Sequence, residues 1–474
     1  MYDRCVPRLV VMGLLFFPRG GSAQVARYLA RSLPGAGWEA SIACGSLGRP
    51  GEESHAGSFY DELRVHALDY TEAAKSPDPL AAEPPFQPSY EDREDAPDRV
   101  FAKVGDEAYE RLVAVWERQL TEAGAGEADV LHLHHLTPIH EAAERAFPEL
   151  PRVGHLHGTE LLMLREIEEG PPPGWEHAEA WAERMRRWAR GCERLFVLSP
   201  DAVRRVPDLL GVDGERVVWA PNGFDPEGFD RRPADPEARL ELWRRWLVEE
   251  PRGWDESGEP GSVSYSEEQL EPFRAGGPVV LYVGRYTEVK RIPLLIRAHA
   301  RARERLGRPA PLVLLGGFPG EWEGQHPLEV VRETADPEVF LAGWRGHGDL
   351  PAGLNAADLL ALPSVREQFG QVLVEAMACG LPVIAADAHG PAEIVDDGRT
   401  GWLVPADDED ALVEALVESA DDAAERARRG EAAYEQARQR YSWPSLARGV
   451  ARIYDDVREG RPPSSGAHTL LEAE

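Results

Sequence analysis

Four charged side chains in the second half of the chain carry the densest chemical signal. Val283-Gly284-Arg285 is followed by Glu288-Val289-Lys290-Arg291, at a point where an apolar run gives way to a helical pattern. An arginine can grip phosphate oxygens with two N–H groups and a lysine acts as a point charge, so Arg285 and Lys290 can converge on one anion at a helix N-terminus. Further on, the segment from Pro363 to Ala385 holds Glu367 and Glu375 in an E-x7-E spacing, with Phe369, Gly370 and Gln371 at the start of a helix. Carboxylates so placed can accept hydrogen bonds from vicinal hydroxyls while the helix-start amides face an anion. Bland readings stand beside these: a solvated basic turn for the first, a capping acid and a surface helix acid for the second.

The first half offers two further sets. Gly20-Gly21, between an apolar run and a helix, lets backbone approach a ligand closely, and serves equally as an ordinary strand-to-helix turn. Histidines cluster as His132-Leu133-His134 and His155-Leu156-His157, each pair on one face of a strand. An H-x-H pair can ligate a metal, and His132, His134 and His157 are the ligand set of a rival reading, a metal-dependent hydrolase. No H-E-x-x-H motif or cysteine partner accompanies them, and packing of one histidine per pair in the core is the favoured account.

The elements that hold these residues alternate. Apolar runs at residues 9–16, 39–44, 130–134, 152–157, 194–198 and 216–219 predict strands, as do 279–283, 312–315, 339–342, 359–362 and 383–385. Helical patterns lie between them at 23–33, 107–123, 176–191, 292–306, 371–378 and 409–419. This rhythm predicts an α/β chain of two Rossmann-like, doubly wound parallel-sheet domains facing a central cleft, with ligands at the carboxyl ends of strands. The predicted boundaries are an N-terminal domain over 1–225, a loose insertion or linker over 226–277, a C-terminal domain over 278–440, a helix returning to the first domain over 441–459, and a disordered tail over 460–474. Within the linker a helix is expected over 236–248.

Composition sharpens the class. The chain has 474 residues with 45 glycines and 40 prolines, about 18% together against roughly 12% on average, so loops and turns are abundant. A net charge of −31 argues against a nucleic-acid-wrapping surface. Lysine occurs only at Lys75, Lys103 and Lys290. Cys5, Cys44, Cys192 and Cys379 are widely spaced, which fits a reducing, cytoplasmic setting. The N-terminal stretch with Arg4, Arg8 and apolar Leu9 to Phe17 resembles a signal peptide, but a first strand followed by a helix is preferred. A stripe of Trp181, Met185, Trp188 and Cys192 has two readings, an interfacial helix making weak peripheral membrane contact and, favoured, core packing against the sheet.

The segment around Glu367 and Glu375 resembles the signature of the retaining GT-B glycosyltransferases of family 4. The resemblance continues through Gly390-Pro391-Ala392-Glu393 and Asp397-Gly398, and includes Gly284-Arg285 with Lys290, Gly20-Gly21, His157-Gly158, Pro221-Asn222-Gly223 and Tyr441-Ser442-Trp443. It implies transfer of a hexosyl group from a nucleotide diphosphate sugar to a hydroxyl acceptor (a sugar, sugar phosphate, lipid-linked or small molecule), with retention and without a cofactor or metal. Arg285 and Lys290 are implied to hold the diphosphate, Glu375 the ribose, Glu367 the sugar hydroxyls, and the amides of Phe369, Gly370 and Gln371 the sugar and phosphate. His157 is implied to approach the transferred sugar, and Gly20 and Gly21 to form a mobile loop. The chain departs from many relatives at Gln368, where they have proline, and at His389, where they have a second glycine. The nearest match to a metal-holding D-x-D motif, Asp408-Glu409-Asp410, reads as a helix cap. The same residues would also suit a non-catalytic sugar-nucleotide-binding protein, and the same fold an epimerase or phosphorylase acting on related sugars.

Overall fold

A computed structural model describes residues 8–91, 96–232, 235–367, 369–463 and 469–471. Arg4, Cys5 and Gln368 lie outside the described residues. The chain forms two compact units, Met1–Asn222 with Trp443–Glu474, and Gly223–Ser442.

The first unit is built on a seven-stranded sheet of order β3-β2-β1-β4-β5-β6-β7. Its strands are β1 Arg8–Leu14, β2 Trp38–Ser46, β3 Arg64–Asp69, β4 Val130–His134, β5 Arg152–His155, β6 Arg194–Val197 and β7 Val217–Trp219. All neighbours run parallel. β1 is apolar on both faces because helices cover both, which is why it reads as an unbroken hydrophobic run; β4 is equally buried but sets His132 and His134 on one face. β1 is the run that resembles a signal peptide. Helix Trp443–Arg458 packs in this unit, with Trp443, Leu446, Val450 and Tyr454 in its core. Residues 469–471, part of the tail expected to be disordered, lie along the edge strand β7: Leu470 N–H donates to Trp219 O at 2.9 Å and its side chain is buried. Trp181, Met185, Trp188 and Cys192 are likewise buried, with Trp181 Nε1 donating to Val104 O at 2.8 Å. That stripe is core packing. No helix among the described residues is long and apolar enough to cross a membrane.

The second unit holds a six-stranded parallel sheet of order β10-β9-β8-β11-β12-β13. The strands are β8 Val280–Gly284, β9 Leu312–Gly316, β10 Val339–Gly343, β11 Leu359–Leu362, β12 Val383–Ala386 and β13 Gly401–Val404. The stretch expected to be a loose linker is ordered and packed. The expected helix ends earlier, at Pro236–Arg244, and continues as a π-helical turn over Arg245–Glu249. Trp243, Trp246, Trp254 and Leu270 are buried. Leu341 N–H donates to Tyr265 Oη at 2.8 Å, and Arg345 donates to the carbonyls of Trp246 and Glu250 at 3.0 and 2.9 Å. The segment thereby covers β10, an edge strand whose open backbone groups invite unwanted pairing. Tryptophan-rich loops hide this role from periodicity, because their burial follows no repeat.

β3 and β13 escape the strand pattern for different reasons. β3 sits at an edge, partly exposed in a charged sequence, and β13 is an edge strand that opens on a glycine directly after a turn.

Candidate active site

In each sheet the first strand is flanked by the second and the fourth, so successive connections leave in opposite directions and open a crevice at the carboxyl ends. In the second unit this switch point lies between β8 and β11. Arg285 leaves the end of β8 with its guanidinium exposed and with no hydrogen-bond or ion-pair partner among the described residues. Lys290 ends a short 3-10 turn and its ammonium pairs with the Glu367 carboxylate, which follows β11. Both side chains are largely shielded, at 14% and 17% exposure. The backbone fixes this meeting: Val365 N–H and Ser364 Oγ–H both donate to Val289 O, at 2.9 and 3.1 Å.

Helix Gln371–Ala378 begins at Gly370, whose φ of 100° is a left-handed value that a side chain would strain. Its first turn presents amides that no carbonyl of the helix can accept. One turn in, Glu375 is buried, and Oε1 accepts from His347 Nε2 at 3.0 Å and from Gln371 Nε2 at 3.2 Å. Gln371 is held in turn by Gly223 O at 2.8 Å. Behind the loop stands Gly390, whose amide donates to Glu367 O at 3.1 Å. A Cβ on Gly390 falls 2.3 Å from Phe369 O. Gly390→Ala is therefore expected to push the loop carrying Glu367 and Phe369 out of place, at a cost of about 1–3 kcal/mol for an overpacked site. Urea unfolding checks the cost, and an unchanged midpoint would show that the loop is not so constrained. His389 has φ of 52°, a left-handed value that glycine adopts more readily.

The first unit repeats the plan. A cavity of about 270 Å³ lies at its switch point, walled by Phe16, Arg19, Gly20 and Ser22 after β1, His135 after β4, Thr159 after β5, and Ser89, Tyr90 and Glu91. Gly20 opens helix Gly20–Ser32 with φ of 68°, and no heavy atom lies within 4 Å of a Cβ built on Gly20 or Gly21. Arg19 donates to Asp98 at 3.0 Å. Beside the cavity His157 is half-buried, its Nε2 3.0 Å from His134 Nδ1. Burial, and then the nearby His135 and His155, hold the His157 ring well below the ordinary histidine value, so it is neutral at pH 7. Glu160 is fully buried; it accepts from His157 N at 2.9 Å and lies 3.3 Å from His135 Nδ1. Burial alone raises a carboxyl, but His135 and these hydrogen bonds outweigh it and hold Glu160 below its ordinary value.

Of the residues expected from sequence, Lys290 and Glu367 meet directly, and Arg285, Phe369, Gly370, Gln371 and Glu375 stand on the same strand ends of the second unit. Gly20, Gly21 and His157 belong to the first unit. Among the described residues, the histidines that can share one ion are His132, His134 and His155, rather than the set with His157. Asp408 caps its helix by accepting from Ala411 N at 2.9 Å, while Glu409 and Asp410 both pair with Arg301. Glu160 was missed although it had a signal, an acid three residues after His157 that reaches back to a helix-start amide as in a capping box. His347 had none, because it arrives from the loop after β10, 28 residues before Glu375.

Two family profiles match the chain, Glycosyltransferase Family 4 over residues 19–227 and Glycosyl transferases group 1 over residues 266–436. A D-inositol 3-phosphate glycosyltransferase of Corynebacterium kroppenstedtii is 37% identical over 187 residues, which is 38% of this chain and 41% of that protein. One of Kineococcus radiotolerans is 32% identical over 335 residues, 67% of this chain and 69% of that protein. The chain thus spans less than half of the one relative's length and about two thirds of the other's. The structure of Anabaena HepE in complex with UDP superposes with a TM-score of 0.61 at 19% identity, covering 95% of this chain and 100% of that one. At that identity the likeness establishes the fold, two parallel-sheet α/β domains of GT-B type.

Proposed function

Because the chain belongs to the family 4 (group 1) glycosyltransferases, we propose that it moves a hexosyl group from a nucleotide diphosphate sugar to a hydroxyl acceptor, with retention at the anomeric carbon and without a metal ion on the diphosphate. One observation carries the reading: Lys290 and Glu367 are paired at the switch point of the second sheet beside the unpartnered Arg285. As the glycosidic bond loosens, negative charge grows on the leaving diphosphate and positive charge on the sugar. Arg285, Lys290 and the amides at Phe369, Gly370 and Gln371 face the first of these charges, and preorganised donors of this kind stabilise a transition state without reorganising. Glu367 holds sugar hydroxyls and Glu375 the ribose. Neutral His157 can accept or donate one hydrogen bond at the sugar without placing a second cation there. The cap role of Asp408 supports a diphosphate held by side chains and amides alone. Buried free Cys44, Cys192 and Cys379 support a reducing, cytoplasmic setting.

The UDP in the HepE complex makes uridine the first donor base to try, and the names of the relatives make a phosphorylated polyol the first acceptor class. The start of helix Gly20–Ser32 at the first unit's cavity offers amides to receive one. In a thermal-shift screen of nucleoside diphosphates and their sugar conjugates, a ligand at a hundred times its Kd is expected to add about 2.7 kcal/mol, roughly 5–10 °C for domains of this size. NMR of the product then reads the anomeric configuration, and turnover should persist in a chelator. Silence across the whole panel, inversion, or complete loss of turnover with chelator each removes part of the reading.

A further inference from the structure

We propose that His132, His134 and His155 form a binding site for one divalent transition-metal ion of the zinc class, inside the first unit and separate from the diphosphate site. The backbone makes the cluster. His132 and His134 stand two apart on β4 and share a face, and the sheet register sets His155, the last residue of β5, directly beside His134. One ring nitrogen from each of the three lies within 4.8 Å of the others. His132 and His134 are wholly buried and His155 nearly so.

Two nitrogens of this cluster are orphaned. His134 Nε2 and His155 Nε2 are buried and have no hydrogen-bond partner, whereas buried polar atoms are nearly always satisfied. The other nitrogens are engaged: His134 Nδ1 with His157 Nε2, His155 Nδ1 with His132 Nε2 at 3.2 Å, and His132 Nδ1 with Tyr454 Oη at 2.5 Å. A metal ion held by His134 Nε2, His132 Nε2 and His155 Nδ1 would satisfy the first orphan and replace the contact between the other two rings. Tetrahedral zinc at about 2.0–2.1 Å from each nitrogen needs ligand atoms roughly 3.3 Å apart, so the rings must draw in by about an ångström or a little more. Neutral imidazole is the form that binds metal, and the burial of these rings favours it. Imidazole donors suit zinc, copper, nickel and cobalt rather than magnesium or calcium. An ion on His134 Nε2 also places the proton on Nδ1, which then donates to His157 Nε2 and fixes that ring's tautomer.

The test uses full-length protein stripped with chelator and dialysed against Zn²⁺, with metal content measured. One equivalent per chain is expected, and it should be lost at least tenfold in His134→Gln and in His155→Gln. Absence of binding, or binding unchanged in both variants, overturns the site. Should the variants fail to fold, X-ray absorption of the wild-type zinc form decides: imidazole scattering from three histidines at about 2.0–2.1 Å supports it, and a purely oxygen shell overturns it.

Discussion

Lys290→Ala is expected to lower kcat/KM by about 10²–10³-fold while leaving the fold intact, the usual loss when one group facing developing charge is removed. Two effects add. The first is the missing cation at the diphosphate. The second follows from the pairing with Glu367: without the ammonium, a shielded carboxylate stands unneutralised where a dianion must arrive. The chain carries a net charge of −31, and salt screens that field only beyond about 10 Å, so binding of an anionic donor depends on local cations. Arg285 alone cannot offset the unpaired Glu367 and the donor together.

The pair offers a way to separate the two effects. In Lys290→Ala/Glu367→Gln the repulsion is gone and the missing cation remains, so donor KM should recover relative to Lys290→Ala while kcat stays low. Lys290→Arg should recover part of both, since a planar fork replaces a point charge. Steady-state kinetics on purified protein with circular dichroism as a fold control decides the matter. Near-normal turnover of Lys290→Ala would end the proposed role.

Much of this site was legible because strand-turn-helix units are local. Arg285 and Lys290 follow one strand, and Glu367, Gly370 and Glu375 span one turn and one helix, so spacing alone places them at strand ends. The contacts between such units were not legible. Lys290 and Glu367 are 77 residues apart, and only the pairing of β8 with β11 brings them together. The histidines show the same limit. Alternation groups His155 with His157, but β5 stops at His155, and the chain turns at Gly158 with φ of 101°, so register with β4 rather than alternation decides which ring joins which. The packing of the 226–277 segment over β10 was illegible for the opposite reason: its burial rests on scattered tryptophans, with no period to detect.

Glu375→Gln is expected to raise the Kd for the cognate nucleoside diphosphate by about 10–100-fold, with kcat at saturation changed less. A hydrogen bond to a charged group contributes about 1.5–3 kcal/mol, which is the size of effect that loss of the carboxylate's charge should show. The local structure can tolerate the change. His347 is half-exposed and can turn to water, and Gln371 keeps its bond to Gly223 O. A general loss of stability would weaken all ligands alike, so the ribose itself is the better probe. Wild type should prefer the ribonucleoside diphosphate over its 2′-deoxy analogue by roughly tenfold, the equivalent of about 1.4 kcal/mol, and Glu375→Gln should lose most of that preference. Isothermal titration with both nucleotides measures it. If the variant keeps the full preference, Glu375 orders the helix start through His347 and Gln371, and the ribose is read elsewhere.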